Sequence, residues 1–380
     1  MKILLTASHE GLHTGSSIQL GILARELVKR GHDVTALFKR PDDPSWPLNA
    51  TLEPLVKAGV RVDRFRFRGL GHADNIAEIL RLRRFIKAEK FDVVHCFKGT
   101  DFDFITLASP GVAIPALIVT RGNGMPLDVF NSVKYRLKKV KAIITVCEEL
   151  KRIVVTTGGV KPEKVVVIYG GVNLDLFNRS IDGALVRDEL AIPRDAPVVG
   201  IVGSIDFRRN KDKGGYEFAH AARMVLDRKS DTRFLCVGDI NTEYFRPLGE
   251  ELKITDRFVF AGFRTDVPRM FAAMDVSVCS SLRGEGLTGT LIESLAIGVP
   301  AVSADVGGNR EIVRDGQTGF IVKPADNAAM AEKILTLLND PQMRRRMGES
   351  GRALVEDLCD FHKQVDRIEA LYKKSLGKLP

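Results

Sequence analysis

Glu285 and Glu293 bracket a run of small and apolar residues in RGEGLTGTLIESLAIGVPAVS (283–303). Each carboxylate offers two oxygens, which suits the hydroxyls of a sugar or the diol of a ribose. Glu285 is followed by Gly286, which places it on a loop. Leu291, Ile292, Leu295 and Ala296 recur at helical spacing, so a helix is expected to start near Thr288 or Gly289. The free N–H groups at such a start favour an anion, and the amides of Leu287 and Thr288 are well placed for a phosphate. The ordinary alternative makes Glu285 a charge at a helix N-terminus and Glu293 a solvated helical residue. The apolar neighbours of Glu293 argue against an exposed position.

Two more loops have residue types that could handle an anion. GSIDFRRNKDKGG (203–215) follows the apolar run PVVGIV and sets Arg208, Arg209, Lys211 and Lys213 between glycines. Cations at a strand end suit a diphosphate, although charge runs are usually solvated surface. SHEGLHTGSS (8–17) follows the first apolar run and ends in Gly15 and Ser16 before a helical pattern. Gly15 lets the backbone approach a phosphate closely. Its glycine spacing does not match G-x-G-x-x-G, which counts heavily against a nicotinamide-dependent dehydrogenase. His9 and His13 lie in this loop, and a lone histidine is more often structural than catalytic.

These loops need strands to hold them. KILLTA, DVTALF, RVDRFRF, DVVHCF, ALIVTR, AIITVC and VVVIYGG read as buried strands in the first half. PVVGIVGS, RFLCVGD, FVFAGF, VSVCSS and PAVSA follow in the second, with helical segments between them. Such alternation predicts an α/β chain of two Rossmann-like, doubly wound parallel-sheet domains. Ligands of these sheets bind beyond the carboxyl ends of the strands, where all three loops lie. The polar stretch at 175–195, broken by Pro193, marks the join. FHKQVDRIEALYKKSLGK (361–378) is a final helix that could pack on either domain.

Composition narrows the classes. With 380 residues and 44% hydrophobic content the chain is globular and has room for two domains. No run of 18 apolar residues suggests a membrane span, and MKILLTAS is too short in its apolar part for a signal peptide. A cytoplasmic setting is expected. Cys96, Cys147, Cys236, Cys279 and Cys359 form no CxxC pair, so they read as buried thiols, three of them in strand-like runs (VVHCF, TVCEE, FLCVG). Residues 1–178 hold 27 Lys and Arg against 18 Asp and Glu, which accounts for the whole net charge of +9. The clusters RVDRFRFR (61–68), RLRRFIKAEK (81–90) and KYRLKKVK (134–141) are either solvated helix faces or a footprint for an anionic lipid surface or phosphorylated acceptor. No nucleic-acid motif accompanies them.

The spacing of Glu285 and Glu293 resembles the E-x7-E signature of retaining glycosyltransferases of family 4, which have the two-domain GT-B fold. PAVSADVGGNREIVRDGQTGFIVKPAD (300–326) is similar to the family's stretch after the signature, and VFAGFRTDVPRMFAAMDVSVCSS to the run before it. LARELVKRGHDVTAL, FDVVHCF and YGGVNLDLF match weaker landmarks in the first half. The resemblance implies an acceptor-binding domain over 1–178, completed by the C-terminal helix 361–380, and a nucleotide-sugar domain over 179–360, facing each other across a cleft. Glu293 would bind the ribose and Glu285 the transferred sugar. Gly286, the Leu287 and Thr288 amides and Thr290 would face the diphosphate. Lys213 would neutralise the leaving group with Arg208 or Arg209, and Phe263 and Arg264 would lie against the base. Gly15 and Ser16 would sit at the family's glycine-rich loop.

Departures from the family pattern are visible. The arginine that often follows the glycine of the VG strand end is Ser204 here, so its work is assigned to Arg208 or Arg209. No histidine follows the strand ending in Thr120 and Arg121. The expected activity is transfer of a sugar from a nucleoside-diphosphate sugar to a hydroxyl of a sugar or lipid-linked acceptor, in lipopolysaccharide, glycolipid or polysaccharide synthesis. No metal cluster of the Asp-x-Asp type is evident in the three loops, so no metal cofactor is expected. An epimerase of sugar nucleotides on the same fold is the alternative reading.

Overall fold

Strands buried on both faces read as unbroken apolar runs, and this chain has enough of them for two sheets. The computed structural model describes residues 1–12, 14–41, 48–66 and 75–378. His13, Phe67 and Arg68, all named above, lie outside the described residues. The chain divides into two units, Met1–Gly171 with Phe361–Pro380, and Val172–Asp360. The polar stretch at 175–195 therefore belongs to the second unit, and the division falls seven residues before the expected boundary at 178.

In the first unit the strands are β1 (Lys2–Ala7), β2 (Asp33–Lys39), β3 (Arg61–Phe65), β4 (Val93–Cys96), β5 (Ala116–Arg121), β6 (Val140–Thr145) and β7 (Val165–Val167). They pair in parallel in the order β3-β2-β1-β4-β5-β6-β7. Helices α1 (Gly15–Lys29), α2 (Leu48–Lys57), α3 (Asn75–Glu89), α4 (Gly99–Ala108), α5 (Val129–Arg136) and α6 (Glu148–Gly158) connect them. Alternate residues of β1 feed two cores: Ile3 and Leu5 join one apolar cluster, Leu4 the other.

The second unit contains α7 (Ala184–Glu189), β8 (Val198–Val202), β9 (Ile205–Asp206), α8 (Gly215–Leu226), β10 (Arg233–Val237), β11 (Ile240–Asn241), α9 (Thr242–Glu251) and β12 (Phe258–Gly262). It continues with α10 (Val267–Ala272), β13 (Val276–Cys279), α11 (Gly289–Ile297), β14 (Ala301–Ala304), α12 (Asn309–Ile312), β15 (Gly319–Val322), α13 (Asn327–Asn339) and α14 (Pro341–Leu358). Its main sheet runs β12-β10-β8-β13-β14-β15, all parallel, and β9 pairs with β11.

The final helix, α15 (Phe361–Ser375), packs with the first unit. Val365, Ile368 and Tyr372 enter the core that holds Ile3 and Leu5. Tyr372 shares a 2.6 Å hydrogen bond with His95 Nδ1, whose other ring nitrogen lies 2.7 Å from Thr120 Oγ1. Burial lowers the His95 pKa to about 3, so the ring is neutral there. Among the cysteines, all buried, Cys147 caps α6 instead of lying in a strand, and Cys279 ends β13.

Candidate functional site

Each sheet reverses its strand order once, between β1 and β4 in the first unit and between β8 and β13 in the second. The loops leaving the carboxyl ends of such neighbouring strands form a ligand crevice. In the second unit those loops are the basic loop after β8 and β9 and the signature loop after β13, far apart in sequence and joined by topology. The backbone zips them together: Leu282 N–H donates to Asp212 O at 2.7 Å, and Ser280 Oγ donates to Lys213 O at 3.1 Å. Gly214 has φ +65°, and a Cβ there would run into the Ser280 carbonyl, so only glycine permits this approach.

Lys213 and Glu285 meet at this seam. Lys213 Nζ donates to Glu285 Oε1 at 2.6 Å, and Ser281 Oγ donates to the same oxygen at 2.8 Å. The lysine side chain remains 46% exposed while the glutamate is 12% exposed, so the cation faces solvent and can exchange partners.

Helix α11 starts four residues beyond Glu285. Its N-cap, Thr288, makes no side-chain capping bond. The structure corrects one assignment here. The Thr288 amide donates to Asn309 Oδ1 at 3.2 Å and is already spent. The amides of Leu287, Gly289 and Thr290 have no hydrogen bond among the described residues. A Cβ built on Gly289 meets nothing within 4 Å, so the space before the helix is open. Unpaired N–H groups at the positive end of a helix are a ready anion site.

Glu293, on the second turn of α11, is half-buried. Its carboxyl has no hydrogen-bond partner among the described residues. Burial alone raises its pKa to about 7. A carboxyl kept in this condition gains most from a ligand that donates hydrogen bonds to it.

The two candidate arginines separate on geometry. Arg208 donates through Nε to both oxygens of Asp206, at 3.0 and 2.9 Å, and lies over the Tyr244 ring at 4.5 Å. Arg209 is exposed, lies 5.9 Å from the Tyr216 ring and near enough to Glu217 to interact electrostatically, and has no ion pair among the described residues. Phe263 is 74% exposed, an unusual state for a large aromatic. Arg264 beside it does not offer its guanidinium to a base. It is forked onto Glu189, at 2.6 and 3.1 Å, and onto Asp266, at 2.8 and 2.9 Å. Sequence spacing could not show this clamp, since Glu189 lies 75 residues away.

In the first unit, Gly15 and Ser16 open α1 as expected, but the helix start is closed by its own side chains. Thr14 and Ser17 form a capping box, with Thr14 N–H donating to Ser17 Oγ at 3.1 Å. Ser16 Oγ and Thr14 Oγ1 both lie within 3.0 Å of His9 Nε2. A phosphate at this helix start would compete with bonds already made. Across the strand reversal, Asp101 is fully buried and accepts from Thr6 Oγ1 at 2.7 Å and from the Phe97 amide at 3.1 Å.

Several cations of the basic clusters are also engaged locally. Arg81 lies over the Phe65 ring at 4.1 Å and reaches Glu78. Arg83 donates to the Ala108 and Pro110 carbonyls, and Lys139 to Thr106 O, so both serve the carboxyl end of α4. Lys134 pairs with Asp103. Arg84 and Lys87 are exposed with no ion pair among the described residues. No helix among the described residues is long and apolar enough to cross a membrane.

Two family models match the chain. One, described as Glycosyltransferase Family 4, matches residues 14–176, and the other, Glycosyl transferases group 1, matches residues 196–340. The chain is similar to the capsular polysaccharide biosynthesis glycosyltransferase CapM of Staphylococcus aureus, at 30% identity over 62% of this chain and 63% of CapM. It is similar to the UDP-Gal:alpha-D-GlcNAc-diphosphoundecaprenol alpha-1,3-galactosyltransferase of Escherichia coli, at 24% identity over 80% of this chain and 81% of that enzyme. Among solved structures, Anabaena HepE in complex with UDP matches with a TM-score of 0.82 at 20% identity, over 98% of this chain and 100% of HepE. That last likeness speaks to the fold.

Proposed function

Because the chain belongs to the family 4 glycosyltransferases, GT-B enzymes that move a sugar from a nucleoside-diphosphate sugar to an acceptor hydroxyl, we propose the following division of work among its residues. The second unit binds the donor. Glu293 accepts from the ribose diol, and the open amides of Leu287, Gly289 and Thr290 take the diphosphate. Gly286 leaves room for the backbone to approach it. Lys213 leaves Glu285 for the diphosphate, and Arg209, not Arg208, joins it. Glu285, released, accepts from hydroxyls of the transferred sugar. The exposed Phe263 ring lies against the base. The paired Lys213 and Glu285, beside an uncapped helix start, are the observation that carries this reading.

Chemically, the site places donor and acceptor together and offsets charge on the leaving diphosphate. The reaction proceeds with retention, the acceptor attacking from the face that the diphosphate leaves. We expect Lys213 and Arg209 to carry this charge without a metal ion. The donor base is proposed to be uracil, since HepE was solved with UDP and the Escherichia coli relative is named for UDP-Gal. The first unit, with Gly15 and Ser16, is proposed to receive the acceptor, a glycan carried on a lipid diphosphate like the one in that relative's name. The relatives named above are transferases, and none of them favours the epimerase alternative. Calorimetric titration of wild-type and Glu293→Ala protein with UDP, GDP and ADP tests the donor site. Tight binding of UDP that Glu293→Ala weakens supports it, and equal binding by both proteins overturns it.

Contact with an anionic membrane face is a further part of the proposal, at the inner side of the cytoplasmic membrane. Of the cations in the 81–90 and 134–141 clusters, Arg84 and Lys87, exposed and without an ion pair among the described residues, are proposed to lead it.

A further inference from the structure

Asn309 is fully buried at the first position of α12, and all of its side-chain polar atoms are used. Oδ1 accepts from the Thr288 amide at 3.2 Å, while Nδ2 donates to Ser303 Oγ at 3.0 Å and to Ala304 O at 3.4 Å. The two residues before it grip the same loop. Gly308 N–H donates to Gly286 O at 2.6 Å. Gly307 has φ +54°, and a Cβ there would overlap the carbonyl oxygens of Glu285 and Gly286. Residues 307–309 thus hold the backbone of 285–288 from one side. From the other side, Lys213 and Ser281 hold only the end of the Glu285 side chain, and Lys213 is the partner that the donor is proposed to remove.

We propose that Asn309 is a positioning residue for sugar transfer, acting through Glu285. The loop it anchors is flanked by Gly284, at φ +81°, and Gly286, so its backbone has low-cost alternatives unless something fixes it. Once Lys213 turns to the diphosphate, the Glu285 carboxylate keeps the Ser281 hydroxyl, and the 307–309 turn is what fixes the backbone beneath it. A displacement of about 1 Å at a reacting group costs on the order of 100-fold in rate. This inference rests on the reading of Glu285 given above.

The test is a double-mutant cycle on the full-length protein with UDP-sugar turnover, UDP calorimetry and thermal unfolding. Asn309→Ala is expected to lower kcat by about 10- to 100-fold, with the UDP dissociation constant changed less than about threefold, because bare UDP does not touch Glu285. Added to Glu285→Ala, it should lower kcat little further. Gly307→Ala, which pushes on Glu285 and leaves the Asn309 side chain intact, should give a similar kcat loss and covers the case in which Asn309→Ala does not fold. Asn309→Asp keeps the acceptor of the Thr288 amide and should recover part of the rate. A lowered melting temperature with wild-type kcat in the folded variants overturns the proposal, as does a full additional loss in the double mutant. Wild-type turnover by Glu285→Ala overturns the reading of Glu285 itself, and this inference with it.

Discussion

The two units build the same crevice and finish it in opposite ways. At the strand reversal of the first unit, the starts of α1 and α4 are closed by their own side chains: Thr14 and Ser17 at one, Asp101 beneath the other. At the reversal of the second unit, α8 also has a buried acid in its first turn, Glu217, whereas α11 has Thr288 at the cap with no side-chain capping bond. A missing cap costs a helix about 1 kcal/mol. The second unit keeps that cost at its signature helix and adds an unpartnered carboxyl at Glu293. A shared strand reversal therefore does not make both crevices anion sites, and the uncapped start of α11 tells them apart.

The comparison can be broken by substitution. Lys213→Ala should have the largest effect, a loss of about 100-fold in turnover with the fold intact, by analogy with removal of one oxyanion donor. Arg209→Ala should approach it and Arg208→Ala should not, since Arg208 belongs to Asp206. Steady-state kinetics on the three variants decides this, and equal small losses would make the whole loop solvated surface.

Next comes Glu293, with an expected loss of about tenfold in UDP affinity for Glu293→Ala, the worth of one or two hydrogen bonds to a charged group. Its pH behaviour sharpens the point. The folded protein keeps the Glu293 proton up to a pKa of about 7, whereas the ordinary value is 4.5. The unfolded chain binds fewer protons in that window, so this group makes the ligand-free protein less stable as pH rises from about 4.5 to about 7. Glu293→Gln should flatten that part of the stability profile in denaturant melts. It should also remove any gain in UDP affinity between pH 6 and 8 beyond what the ligand's own phosphate contributes.

Thr14→Ala, in the first unit, should cost about 1 kcal/mol of stability in urea titration and leave UDP binding unchanged. Removing an analogous side chain from the two crevices would then give opposite signatures, stability in one and affinity in the other. The smallest expected effect is that of a chelator. Turnover in EDTA should equal turnover without it, and an activity lost to EDTA and restored by a divalent ion would overturn the proposed metal independence.

Much of the fold was legible because parallel strands advertise themselves. KILLTA, ALIVTR and PVVGIV each hold an unbroken apolar run and form β1, β5 and β8. GFIV, which forms β15, is not among the strands read from sequence: it opens on Gly319 and sits between Thr318 and Lys323. The helix start near Gly289 was readable from apolar spacing, and so were the two glutamates that flank it. What lay beyond reach was pairing over distance. Nothing near Arg264 announces Glu189, and nothing near Thr288 announces Asn309, 21 residues on. Those contacts are set by strand order and by which loops meet at the reversal. For the same reason the Thr288 amide was assigned to the anion, when the structure gives it to an asparagine.

The last helix carries a consequence for how the chain is made. Val365, Ile368 and Tyr372 complete the core around Ile3 and Leu5, yet they are synthesised after the whole of the second unit. Domains tend to fold as they leave the ribosome, at about 5–20 residues per second. Here the first unit emerges early with one side of its core open, while the second, Val172–Asp360, is continuous and can close on its own. The half that is translated first is thus completed last, and a nascent chain stalled before residue 361 would present an exposed apolar face to chaperones.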